Sequence, residues 1–70
     1  MEMKKISSGN LRAVGYDERN RTMDVQLADG SVLQYSGVSP DFHRRFVGAS
    51  SPWSFYRDNV DEAFSVRRLR

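Results

Sequence analysis

The sequence predicts an α+β fold: a small antiparallel β-sheet of three to four strands with two short α-helices packed on one face. Two observations carry that expectation. Residues 22–27 alternate strictly between apolar Met23, Val25 and Leu27 and polar Thr22, Asp24 and Gln26, the period-2 signature of a half-buried strand. Later in the chain, Ser39-Pro40 and Ser51-Pro52 each place an N-cap hydroxyl beside a proline suited to the first helical position. A chain of 70 residues has room for one domain, so residues 1–70 are read as a single unit.

Residues 11–16 form the first predicted strand, short and β-compatible, and the polar run Asp17-Glu18-Arg19-Asn20-Arg21 turns the chain. The preceding Ser7-Ser8-Gly9-Asn10 reads as a polar lead-in. Residues 22–27 are the second strand and 31–36 the third, joined at Asp29-Gly30.

The register of that hairpin follows from burial. A two-residue loop would pair Val25 with Gln34 and turn Leu33 and Tyr35 toward the face of Asp24. A three-residue loop, Ala28-Asp29-Gly30 with Gly30 in the left-handed conformation, pairs Val25 with Leu33 and Met23 with Tyr35. It gathers the apolar residues on one side and leaves Val32 half-exposed. Because a one-residue slip moves every side chain to the other face, the longer loop is favoured.

The first helix begins at Ser39-Pro40, with Phe42, Phe46, Val47 and Ala49 as its inner stripe and Asp41, Arg44 and Arg45 toward water. The second begins at Ser51-Pro52, with Trp53, Tyr56, Val60 and Ala63 at helical spacing. Residues 64–69 alternate at first and form a candidate last strand, although Arg67 and Arg68 together break the pattern.

Composition narrows the functional classes. The chain has no cysteine, which excludes a disulfide framework, a thiol nucleophile and a thiolate zinc site. No apolar run approaches the roughly 18 residues of a membrane span, and no signal-peptide pattern follows Met1. A cytoplasmic protein that does not engage membranes is expected. The formal net charge is +2. Residues 1–35 carry five basic and five acidic side chains, whereas residues 36–70 carry six arginines against four carboxylates. The whole excess lies in the second half, a bias that suits an anionic partner as well as a solvated surface.

Catalytic constellations are missing from the sequence. The single histidine, His43, has Ser, Pro, Phe and Val at the helical positions where a carboxylate would help it hold a metal. Gly48-Ala49-Ser50-Ser51-Pro52 lacks nucleophile-elbow spacing, and Ser51 is better explained as a helix cap. Asp58, Asp61 and Glu62 read as solvated helix-surface carboxylates. The five glycines are dispersed singly, so no phosphate loop exists. The expectation is a non-catalytic domain with no cofactor and no metal.

Several segments together resemble the KTSC domain family, named for its occurrence at the C-terminus of some lysyl-tRNA synthetases and found also as free-standing bacterial proteins of similar size. They are Ser7-Ser8, Leu11-Arg12-Ala13-Val14-Gly15-Tyr16-Asp17, Gly30 before Val32-Leu33-Gln34-Tyr35-Ser36-Gly37-Val38, then Ala49-Ser50-Ser51 and Phe55. The family's Tyr-x-Tyr motif has Leu33 at its first position and Tyr35 at its second. The resemblance implies no defined activity, RNA binding being the suggestion attached to the family.

Aromatic and arginine side chains supply the means. Tyr35, Tyr56, Arg44, Arg45, Arg57, Arg67 and Arg68 are the candidate nucleic-acid-binding residues, tyrosines stacking on bases and arginines contacting phosphates. The competing expectation is a protein partner or a second copy of the chain, docked on Val32 and an open sheet edge, since Tyr and Arg also anchor protein interfaces.

Overall fold

A computed structural model describes residues 3–60 and 63–70. Its architecture is α+β, built on a five-stranded antiparallel sheet in the order β1-β2-β3-β4-β5. The strands are β1 (Met3–Ser8), β2 (Leu11–Asp17), β3 (Thr22–Leu27), β4 (Val32–Ser36) and β5 (Ser65–Arg68). Between β4 and β5 lie α1 (Pro40–Val47), α2 (Pro52–Phe55) and a π-helical turn (Tyr56–Val60) that continues α2.

The β3-β4 hairpin has the register that burial predicts. Met23 lies opposite Tyr35 and Val25 opposite Leu33. Gly30, at φ 91°, closes the three-residue loop, its N–H donating to Leu27 O at 3.0 Å while Leu27 N–H donates to Ser31 O at 2.8 Å. Val32 is half-buried.

One strand, β1, lies beyond the three to four expected, and the candidate last strand at 64–69 forms as β5 over Ser65–Arg68. The stretch read as a lead-in is the end of β1 and its turn into β2: Ser8 pairs with Leu11, and Gly9 takes φ 53°, as a two-residue hairpin with glycine at its first central position requires. Ile6 is the one hydrophobic side chain of β1 packed against the core, so the strand carries little apolar periodicity and is held largely by its ladder to β2. The last strand, β5, is exposed at every position. Backbone pairing to β4 holds it in the sheet, with Arg67 and Arg68, which break the side-chain alternation, both inside the strand.

The core lies between the helices and one sheet face. Leu11, Val14, Met23 and Val25 come from the inner strands, Tyr35 and Val38 from β4 and its exit, and Phe46, Tyr56 and Val60 from the helical segment. Each large apolar side chain removed from water contributes about 1.5–3 kcal/mol.

The inner stripe of α1 is centred on buried Phe46, with Phe42, Val47 and Ala49 half-buried and Asp41, Arg44 and Arg45 outside. Along the second helical segment Tyr56 and Val60 are buried and Trp53 half-buried, whereas Ala63 is exposed beyond the π-turn. Among the described residues no helix is long and apolar enough to cross a membrane.

Candidate nucleic-acid interface

Alternation along β4 sends Tyr35 inward with Leu33, and the helical spacing sends Tyr56 inward with Val60. Both are buried, at 1% and 4% exposure, and their rings meet edge to face at 5.9 Å with a hydroxyl-to-hydroxyl hydrogen bond. The expectation that these tyrosines stack on bases is therefore corrected: a ring closed inside the core has no face to offer, and both are packing residues. Tyr56 also stacks on Trp53 at 5.6 Å.

The five candidate arginines, Arg44, Arg45, Arg57, Arg67 and Arg68, are all exposed. They do not share one face. Arg67 lies opposite Gln34 and Arg68 opposite Leu33. Gln34 donates to Asp24 at 3.0 Å on the helix-free side of the sheet, whereas Leu33 points to the helices, so successive residues of β5 project to opposite sides. Arg44 reaches the Asp41 carboxylate at 3.4 Å across one turn of α1. It is the only arginine with an ion pair among the described residues.

The expected free edge beside Val32 is also corrected. Its carbonyl accepts from Leu69 N–H at 2.7 Å and its N–H donates to Arg70 O at 3.3 Å, so the chain after α2 covers that edge. The outer strands are β1 and β5. Met3 at one edge and Leu69 and Arg70 at the other line a single trough of about 410 Å³ with Asp24, Gln26 and Val32, which means that the sheet curls across its helix-free face. Of the paired-carboxylate candidates, Asp58 is exposed, while Asp61 and Glu62 lie outside the described residues.

A further site, whose residues no sequence pattern brings together, lies where β1 and β2 meet α1. Lys4 sits opposite Val14 and shares its helix-facing side. Two residues farther along β2, Tyr16 donates its hydroxyl to Val38 O at 2.5 Å, and its ring stacks on His43 with centroids 4.5 Å apart and planes within 11°.

Lys4, Val14, Tyr16, Glu18 and His43 line an open groove of about 420 Å³. It continues past Pro40, Arg44 and Val47. Burial, and then the neighbouring Lys4 ammonium, hold the His43 imidazole below its ordinary pKa. Desolvation raises the Tyr16 phenol, with Arg21 opposing and Glu18 and Asp17 reinforcing the shift.

His43 and Val47 stand four apart on the flank of the α1 stripe, the one local sign that the histidine turns partly inward. Its meeting with Tyr16 joins residues far apart in sequence, and no local pattern encodes it. Among the described residues, no three His, Cys, Asp or Glu side chains gather as metal ligands. The groove can take a flat group beside its rings, an anion at Lys4 or Arg44, and a hydrogen-bond donor at Glu18.

Comparison with known proteins places this architecture. The chain is 28% identical over 51 residues to an uncharacterised protein of Stutzerimonas stutzeri (strain A1501), an alignment that spans 73% of this chain and 72% of the relative. A crystal structure of a KTSC domain protein from Yersinia pestis superposes with a TM-score of 0.94 at 28% identity, over 99% of this chain and 97% of the other. The KTSC domain model matches residues 7–64, and the chain belongs to the KTSC domain family.

Proposed function

We propose that this KTSC domain is a non-catalytic cytoplasmic binding module that contacts RNA through exposed arginines on its helical and C-terminal surface. One observation carries the reading. All five candidate arginines are exposed, and among the described residues only Arg44 has a carboxylate partner. Exposed cations without a carboxylate partner are available to phosphates, whose neutralisation releases condensed counterions. With Tyr35 and Tyr56 in the core, this contact is electrostatic first, and base stacking falls to other residues.

Fluorescence anisotropy with a structured tRNA and with a single-stranded RNA, titrated against salt, tests the proposal. Each phosphate contact to a single strand should add about −0.7 to the slope of log K against log salt. A slope near zero, or no binding at low salt, ends it. Replacing Arg67 and Arg68 together with Ala should weaken binding without lowering Tm. Because the two residues project to opposite sides of the sheet, the single variants separate the faces: the face that carries RNA shows the larger loss.

A second reading is favoured by the exposed apolar side chains of the β5 edge. Val66 is 52% and Leu69 43% exposed on or just beyond an outer strand whose outward backbone groups can pair with another chain. Self-association there predicts a sedimentation coefficient that rises with concentration. A concentration-independent monomer removes it.

A further inference from the structure

We infer that the groove between β1-β2 and α1 seats one unpaired guanosine nucleotide of the bound strand, with the base against the Tyr16–His43 pair and its Watson–Crick edge on Glu18. The inference rests on the RNA-binding reading and gives that surface a base-reading position.

Size and shape come first. The groove, about 420 Å³, lies at the small end of ligand sites, which run to roughly 300–1,000 Å³, and suits a nucleotide better than a helical segment. It is open along its length, as a strand passing through would need.

Tyr16 and His43 already form a planar stack, with planes within 11°, and a nucleobase extends such a stack without rearrangement. The Tyr16 hydroxyl is engaged with Val38 O, so the phenol is fixed in place. Lys4 lines one part of the groove and Arg44 its continuation; Lys4 is open to a phosphate on one side of the base, and Arg44 can meet one on the other by exchanging its exposed 3.4 Å pair with Asp41. Lys4 and Glu18 have no ion pair among the described residues.

Glu18 selects the base. An ionised carboxylate only accepts hydrogen bonds. Guanine alone presents two adjacent donors, N1–H and the N2 amino group, which match its two oxygens. Adenine and cytosine place a ring-nitrogen acceptor beside their amino group, and uracil has one N–H between two carbonyls, so each sets lone pairs against the carboxylate.

Titration of the intact chain, followed by NMR, tests the assignment with guanosine 5′-monophosphate, adenosine 5′-monophosphate and inorganic phosphate as probes. The guanosine probe should move the resonances of Tyr16, Glu18 and His43 and bind about tenfold or more tightly than the adenosine probe, the discrimination expected of a good bidentate base contact. Inorganic phosphate alone should move Lys4 and Arg44 and leave Glu18 in place. Glu18→Gln, a change on an exposed turn, should erase the guanosine preference at unchanged Tm.

Equal binding of the two nucleotides, a preference that survives Glu18→Gln, or shifts outside the groove would overturn the inference. Salt-dependent RNA binding alongside any of these leaves the RNA-binding reading standing and removes the guanosine site alone. Guanosine binding in the groove without RNA binding overturns that reading and keeps the nucleotide seat.

Discussion

The two helices open on the same pair of residues, Ser-Pro, and are anchored in different ways. At α1 the Ser39 hydroxyl accepts from Phe42 N–H at 3.2 Å, a local cap. At α2 the Ser51 side chain makes no cap to the backbone and donates instead to Ser54 Oγ at 3.1 Å. The Trp53 N–H is met from β1, by Ser8 Oγ at 3.2 Å. Beside Ser8, Gly9 lies so close to the indole that a β-carbon there would stand 2.3 Å from Trp53 Cγ. The first helix is started by its own sequence, and the second is received by a hairpin more than forty residues earlier. A Ser-Pro signal therefore marks where a helix starts, while the partner of its free N–H groups depends on what the fold brings near.

Breaking the remote seat should have the largest effect. Gly9→Ala adds a carbon into the ring of Trp53 at a residue held at φ 53°. The left-handed conformation costs roughly 1–2 kcal/mol and the overlap about 1–3 kcal/mol more. A loss of about 3 kcal/mol by urea denaturation is expected from a domain holding roughly 4–10 kcal/mol in all. A loss below about 1 kcal/mol would mean that α2 is not seated there.

The two working caps come next. Ser39→Ala and Ser8→Ala should each cost about 1 kcal/mol, within the usual 0.5–2 kcal/mol for a lost cap, although only the first is a cap by sequence position. Ser51→Ala, the residue that looks like a cap and is not, should cost a few tenths of a kcal/mol at most. Equal losses for Ser8→Ala and Ser51→Ala would erase the difference between the two helix starts.

The smallest effect concerns pH and belongs to α1. His43 titrates lower in the folded chain than its ordinary value of about 6.5. The unfolded chain therefore takes up its proton first as pH falls. The contribution of neutral His43 is fully present above about pH 6.5 and is lost as pH drops through the folded pKa. Melting temperatures should fall over that window, and His43→Gln should flatten the decline. An unchanged slope would show that the Tyr16–His43 contact is indifferent to charge. Asp17 and Asp29 do not confuse the reading. Hydrogen bonds hold both carboxyls low, from the Asn20 side chain for Asp17 and from the Ser31 N–H for Asp29, and their contributions are lost only below about pH 4.

Much of the fold was legible because its signals are local. Alternation in β3, glycine at position 30 and the requirement to bury Leu33 with Tyr35 set the central hairpin and its register. Outer strands were harder, since β1 and β5 owe their place to backbone pairing with neighbours and bury almost nothing of their own.

The candidate site was the least legible part. Arginine positions are legible, whereas a surface role for Tyr35 and Tyr56 runs against their own spacing and burial. Tyr35 shares a face with Met23, and Tyr56 precedes Val60 by four residues, so both pointed inward from the start. The Tyr16–His43 groove could not have been found this way, because it joins the end of one strand to the middle of a helix.

What the sequence determined by itself is everything that repeats with the period of a single element: the central strands, the start of α1, the inner stripe of α1 and the turn at Gly30. Tertiary structure alone decided which polar groups meet across the fold. Ser8 reaches the start of α2, Gly9 makes room for Trp53, Tyr16 finds Val38 O and His43, and β5 closes the edge beside Val32. These contacts join residues 22 to 45 positions apart, or depend on backbone pairing that no side chain announces. Local propensity extends over a turn or a hairpin and no farther, so longer pairings are settled only when the core has brought their partners together.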